Sequence, residues 1–298
     1  MLTGPLAAAT AYLMWGLFPL YIKQVSHLPA FEVVLHRAAW SLVFVLLLLA
    51  VLRRFAWLPT VLRQPRVLAV SALSALLLSI NWLLYVWAIG AGRIVDASLG
   101  YYINPLVNVL LGVVVLKERP RALQWGALAI AGAGVLWLTV AAGELPWIAL
   151  LIACSFGGYG LLRKLAPLGA LEGLALETML LAPLVLAALA WLSWQGRGAL
   201  VTGDVPTLLW LLAAGPVTAI PLLLFAVGAR RVTMATLGVL QYLGPSLQLL
   251  LGVYVYGEPF DAVRGIGFGL IWTALVVYTA EALWRHRRWR PGGAAAPG

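Results

Sequence analysis

Apolar residues run along this chain in long blocks, interrupted at short intervals by clusters of Arg, Lys, Gly and Pro. Blocks of this length predict helices in a bilayer, where a helix satisfies its backbone hydrogen bonds without water. Ten spanning helices are expected, over roughly 5–22, 32–52, 67–89, 97–116, 122–141, 146–162, 171–192, 207–227, 235–256 and 263–284. Most are close to the ~20 residues that a ~30 Å hydrocarbon core requires. The sixth is shorter and glycine-rich. The loops leave no room for a separate soluble domain. Nothing positive precedes the first apolar run, so the first helix is expected to stay in the mature protein.

The polar residues that interrupt the pattern recur. Trp87-Ala88-Ile89-Gly90-Ala91-Gly92-Arg93 and Ala97-Ser98-Leu99-Gly100 return as Phe225-Ala226-Val227-Gly228-Ala229-Arg230-Arg231 and Ala235-Thr236-Leu237-Gly238. After a two-residue shift, Tyr102, Pro105, Gly112 and Glu118 pair with Tyr242, Pro245, Gly252 and Glu258. Apolar composition alone yields chance Leu and Val matches; it does not yield Gly, Tyr, Pro and Glu in one order. The chain is therefore read as two related halves, 1–142 and 143–284, followed by a basic tail, 285–298, expected to be cytoplasmic and disordered. Five helices per half is an odd number, so the second half should enter the membrane inverted. That is the inverted-repeat architecture of secondary transporters, with a substrate site near the midplane.

Composition agrees. The chain is 63% hydrophobic and 10% charged, against roughly 25% charged for soluble domains. The net charge of +10 is not a nucleic-acid signal, because the basic residues sit in short loops and the tail. With the N-terminus in the cytoplasm they divide about 15 to 4 in favour of the cytoplasmic side, which places both termini there. The single cysteine, Cys154, allows neither an intramolecular disulfide nor a cysteine metal site. Trp57, Trp147, Trp284 and Trp289 are read as interfacial anchors.

Candidate chemistry lies on a few helix faces. Tyr101, Asn104 and Asn108 share one face of the fourth span, and Gln241 and Gln248 share the matching face of the ninth. An amide facing lipid would lack partners, so these faces are expected to point inward, lining a wet cavity or bonding the helices together. Pro105 and Pro245 should bend their helices beside a site. Ser74, Asn81, Trp82, Tyr85 and Trp87 lie on the third span, Tyr12, Trp15 and Pro19 on the first, and Ser155-Phe156-Gly157-Gly158-Tyr159-Gly160 on the sixth. Aromatic rings with scattered amides suit a small amphiphilic or ring-containing solute.

Charges inside spans are costly and mark function or pairing. Arg37 and Glu177 occupy matching positions of the second and seventh spans. Each lies roughly 8 Å below its own surface, and inversion leaves the two roughly 10–15 Å apart in depth. They are read as separate sites near the two ends of a pathway, Glu177 beside Arg163 or Lys164 and Arg37 beside Glu32, with His36 a possible proton carrier. Glu118 and Glu258 precede Pro120 and Pro259, where each should cap the following helix. Gly265 and Gly269 form a GxxxG that packs within the bundle or against another protomer. No HExxH, GxSxG or Walker A sequence is present, no catalytic cluster is evident, and neither a metal nor a cofactor is expected.

Tyr12…Trp15-Gly16, Glu32…His36-Arg37, Asn81-Trp82, Gly100-Tyr101-Tyr102-Ile103-Asn104-Pro105, Lys117-Glu118-Arg119, Ser155-Phe156…Tyr159-Gly160…Arg163-Lys164, Glu172…Glu177-Thr178 and Leu240-Gln241-Tyr242…Gly244-Pro245 together resemble the RarD family of EamA-type drug/metabolite transporters. The likeness extends to about residue 284. It implies an inner-membrane carrier with an inverted five-plus-five fold and a central cavity, moving small metabolites or drugs outward. The expected cavity residues are Asn81, Tyr101, Asn104, Tyr159, Gln241 and Gln248, then Trp15 and Tyr85, with Arg37, Glu177 and His36 in gating or coupling. Asn104→Leu is expected to abolish transport while the protein inserts normally. The expected partners are a small-molecule substrate and membrane lipids, not nucleic acid, with the protein a monomer or homodimer. A non-transporting sensor or scaffold is the rival reading, and a lipid flippase, marked by a lateral groove lined with the polar faces, is the third.

Overall fold

The computed structural model describes residues 4–115, 117, 121–229 and 240–288, apart from the side chains of Ala142, Lys164, Leu165, Ala226, Ala229 and residues 282–288. Among the described residues every regular element is a helix. The elements are α1 Gly4–Gly16, α2 Phe18–Gln24, α3 Ala30–Val51, α4 Leu58–Leu62, α5 Pro65–Gly90, α6 Ile94–Val114, α7 Ala122–Ala142, α8 Trp147–Leu165, α9 Ala170–Trp194, α10 Ala199–Thr202, α11 Val205–Ala229, α12 Leu243–Leu250 and α13 Ala262–Arg288. A π-helical turn, Leu251–Val255, extends α12. The short α4 and α10 lie within loops.

Among the described residues, eight helical stretches are long and apolar enough to cross a membrane: Gly4–Gln24, Ala30–Val51, Pro65–Gly90, Ile94–Val114, Ala122–Ala141, Ala170–Trp194, Val205–Phe225 and Ala262–Glu281. Trp147–Arg163 and Leu243–Val255 are shorter apolar helices at the positions of the sixth and ninth expected spans. Leu47, Val140, Leu184 and Tyr254 are largely exposed, as suits side chains facing acyl chains rather than water. The chain is an all-helical, multi-pass membrane protein. Helix α13 runs to Arg288, so the start of the expected tail is helical. Glu118, Arg119, Pro120, Arg230, Arg231, Ala235–Gly238, Trp289 and Arg290, and the side chains of Lys164 and Trp284, lie outside the described residues.

Proline sets the breaks and bends. Pro19 ends α1 and opens α2; Pro105 lies inside α6, Pro183 inside α9, and Pro216 and Pro221 inside α11. Pro245 sits in the first turn of α12, where its missing N–H has no helical partner to lose. In packing, α7 lies along α13, α6 along α8, α3 along α9 and α11, α1 along α11 and α12, α5 along α8 and α9, and α6 meets α12. Close approach uses particular glycines. A Cβ on Gly100 would come within 2.9 Å of Ile152, and one on Gly134 within 3.1 Å of the Gly267 carbonyl. Gly265 and Gly269 meet nothing within 4 Å, so the GxxxG is not a contact of this bundle; the neighbouring Gly267 makes it.

Polar links gather at two ends. At one, Glu32 accepts the Ala199 N–H, Arg93 pairs with Asp96 and Glu144, and Arg264 with Asp96. At that end Lys23 also lies over the Tyr256 ring. Glu258 accepts the backbone N–H groups of Ile94 at 2.7 Å and Val95 at 2.8 Å. It is a helix cap, but of α6 across the bundle and not of the next helix: after the π turn, Gly257 at φ +65° swings the carboxylate toward the open start of α6. At the other end Arg54 pairs with Glu172 and Arg121 with Glu281.

Candidate functional site

Rings from several helices form a continuous row. Tyr21 packs edge-on against Trp210 at 6.1 Å and against Phe18 at 5.7 Å. Phe18 meets Tyr85 at 6.2 Å, Tyr85 meets Tyr101 at 5.6 Å, Tyr101 meets Phe156 at 5.8 Å, and Phe156 meets Tyr159 at 5.9 Å. Five helices contribute: α2, α5, α6, α8 and α11. The mostly edge-to-face geometry is the one that ring quadrupoles favour. The row exists because helical spacing brings these positions inward and because small residues, Gly100 among them, let α6 and α8 approach.

Two buried charges stand beside the row, Arg37 against Phe18 and Glu177 at the Tyr159 end. Arg37 on α3 is 6% exposed, with its guanidinium 4.6 Å from the Phe18 centroid and 4.2 Å from that of Trp82. Its Nε donates to Thr218 Oγ1 at 3.0 Å, and Nη1 is buried without a partner. Glu177 on α9 is 1% exposed. It accepts a 2.7 Å bond from Ser74 Oγ and faces Arg163 at 3.6 Å and the Tyr159 hydroxyl, while Oε2 has no partner. The pairing of Glu177 with Arg163 is thus present. The pairing of Arg37 with Glu32 is not: Glu32 is turned to the start of α10 and to His36, whose Nε2 lies 3.9 Å away and has no hydrogen-bond partner. The reason is direction. Residues 32 and 37 are five apart, well past one helical turn, so their side chains leave α3 on different faces.

The amides hold helices. Asn81 Nδ2 donates to the Ile152 carbonyl at 3.1 Å and to Ser155 Oγ at 3.2 Å. Asn104 Nδ2 donates to the adjacent Ala153 carbonyl at 3.1 Å and accepts from Asn108. Two helices thereby grip consecutive carbonyls of α8. Gln248 Nε2 donates to the Trp15 carbonyl at 3.0 Å, with Oε1 unpaired. Trp15 itself joins a second aromatic group with Tyr12 and Phe225. Gln241 lies half-buried in the turn before α12. Of the sequence candidates, then, Tyr85, Tyr101 and Tyr159 come together with Arg37 and Glu177, whereas Asn81, Asn104 and Gln248 are engaged in helix contacts. Sequence reasoning passed over Phe18, Tyr21 and Thr218. Phe18 and Tyr21 flank Pro19 and were open to notice; nothing local marks Thr218.

A lateral groove of about 690 Å³ runs beside α12 and α13, lined by Tyr102, Tyr242, Ser246, Trp272 and Thr279 together with leucine, valine and alanine. None of the amide residues or buried charges lines it. At the end holding Glu144, a polar cavity of about 270 Å³ contains Arg93, Asp96, Glu144, Asp261 and Arg264.

A multi-pass helical bundle with an aromatic row flanked by two intramembrane charges has the make-up of a membrane transporter, and sequence comparison agrees. Residues 2–140 match the EamA-like transporter family. An uncharacterized transporter of Pseudomonas aeruginosa is 46% identical, over 97% of this chain and 96% of that protein. Protein RarD of Streptomyces exfoliatus is 45% identical, over 99% of this chain and 94% of that protein. A solved crystal structure superposes with a TM-score of 0.59 at 24% identity, covering 97% of this chain and 99% of the other, a likeness of fold. The chain belongs to the RarD family of EamA-type membrane transporters.

Proposed function

We propose that this transporter is a secondary carrier of the bacterial inner membrane, moving small metabolites or drugs outward by alternating access. The observation that carries this reading is the aromatic row itself. It crosses helices of both halves, it is the region where the candidate residues Tyr85, Tyr101 and Tyr159 converge, and Arg37 and Glu177 stand beside it. Rings offer a moving solute a sequence of equivalent faces without deep traps.

The helix pairing supports two inverted five-helix repeats, with α1 and α2 together as the first span. Numbering the spans from one to ten, first-with-eighth has its counterpart in sixth-with-third, second-with-eighth in seventh-with-third, and fourth-with-sixth in ninth-with-first. Second-with-seventh, fifth-with-tenth and fourth-with-ninth map onto themselves. Exchanging the halves preserves the pattern, as a twofold axis in the membrane plane requires. The gathering of Arg53, Arg54, Arg63, Arg66 and Arg121 at one end supports cytoplasmic termini. In this reading the halves rock about the row, with Pro19, Pro105 and Pro216 absorbing the bending.

Reconstitution tests it. Proteoliposomes carrying the protein should accumulate labelled solute by exchange against an unlabelled internal pool, saturably and only for particular chemical classes. A protein that binds small solutes but exchanges none would instead be a sensor or scaffold.

A further inference from the structure

We infer that the substrate is a small organic anion with a flat apolar body, and that Arg37 with Tyr85 recognises its oxyanion. This rests on the transport reading and goes one step past it, to the charge of the cargo.

A guanidinium stays protonated in any protein environment, and an ion in a spanning helix is normally paired because isolation there is costly. Among the described residues no carboxylate lies within salt-bridge distance of Arg37: Glu32 serves Ala199 and His36, and Glu177 serves Ser74 and Arg163. What surrounds Arg37 is two ring faces, one threonine hydroxyl, and the tyrosines 21, 85 and 101, near enough to feel its charge. Two polar atoms in this neighbourhood, Arg37 Nη1 and the Tyr85 hydroxyl, are buried with no partner among the described residues. Both carry a proton to donate, and buried donors are almost always satisfied. The Tyr21 hydroxyl is already committed to the Trp210 carbonyl, which leaves these two.

The complement of two unsatisfied donors in one neighbourhood, one of them on a fixed positive charge, is an oxyanion with two acceptor oxygens, bound through charge-assisted hydrogen bonds. The ring faces of Phe18, Tyr85 and Tyr101 continue from that point, so the remainder of the ligand meets aromatic surface. A cationic solute would meet Arg37 at the same place and be repelled. A neutral one would leave the guanidinium unpaired.

The test uses the purified full-length chain. Benzoate, phenylacetate and indole-3-acetate are each compared with the amide and the amine of the same skeleton, and with inorganic phosphate, by thermal shift. The acids should raise Tm and the amides and amines should not. Arg37→Gln should abolish the shift. Tyr85→Phe removes only an unpartnered hydroxyl, so it should fold as well as the wild type while binding the acids about tenfold or more weakly. The proposal is overturned if amides or amines shift Tm as much as acids, if no acid shifts it, if phosphate alone reproduces the effect, or if Tyr85→Phe binds unchanged. A neutral or cationic solute exchanged by proteoliposomes would leave the transport reading intact and overturn this one. A protein that binds the acids but moves no solute would do the reverse.

Discussion

Gln248 donates to the carbonyl of Trp15 at 3.0 Å, and that carbonyl is the one Pro19 deprives of its helical partner, since proline four residues on has no N–H to give. A polar side chain on α12 thus completes the hydrogen bonding of a break between α1 and α2. The relationship gives a coupled prediction. Gln248→Leu should destabilise the protein by about 1 kcal/mol more than it does in the Pro19→Ala background, where the local N–H is restored. A double-mutant cycle by thermal or denaturant unfolding measures it, and equal costs in the two backgrounds would mean that the bond does not compensate for Pro19.

Asn104 is engaged with Ala153 and Asn108, so Asn104→Leu should lower stability by about 0.5–2 kcal/mol instead of producing a normally stable, silent protein. Unfolding of the purified variant decides the matter. An unchanged Tm would return Asn104 to the list of solute contacts.

Much of this was legible in the sequence. Helix positions followed from apolar run length, with ends such as Ala30–Val51 and Ala122–Ala142 within a few residues of expectation. Tyr85 and Tyr101 were marked by the helix faces they share with amides, and Tyr159 by the glycine-rich run of the sixth span. What a linear pattern cannot carry is the choice of partner across the bundle. Glu258 looked like a cap for the helix after it, because a carboxylate before proline has that local meaning; its partner, the start of α6, is more than 160 residues away in the chain. Arg37 looked like a partner for Glu32, because both lie on one helix; Thr218 came from another half of the chain. Gly265 and Gly269 fit a motif, yet Gly267 sits on the contacting face, since helix rotation is set by the neighbour and not by the motif.

The Glu258 cap ties two halves of the chain together. Glu258→Ala leaves two buried N–H groups unpaired at the start of α6 and should cost about 1–2 kcal/mol, while Glu258→Gln keeps one acceptor and should cost roughly half as much. Thermal unfolding of both variants checks the order. Amide exchange at Ile94 and Val95 should accelerate in the alanine variant and less in the glutamine one.

Asp204 caps the start of α11. The Thr207 hydroxyl and then the Thr207 N–H, at 3.0 Å, hold its carboxyl below the usual aspartate range. A depressed folded-state pKa contributes stability that is present above the ordinary aspartate value and is lost as pH falls through the folded one. Wild type and Asp204→Ala should therefore differ in Tm near neutral pH and converge as the pH drops below about 4. A difference that stays constant into acid would place the effect elsewhere than the charged cap.

The central claim is that solute passes along the row between Arg37 and Glu177, a stretch on which Tyr101 packs between Tyr85 and Phe156. In a Cys154→Ala background, Tyr101→Cys gives a single thiol on that path, to be probed with a membrane-impermeant reagent applied from either side of right-side-out and inverted vesicles. Labelling from both sides, suppressed by the acid that stabilises the protein most, is the predicted result. A folded protein whose thiol is reached from neither side would make the row a static core and contradict the account.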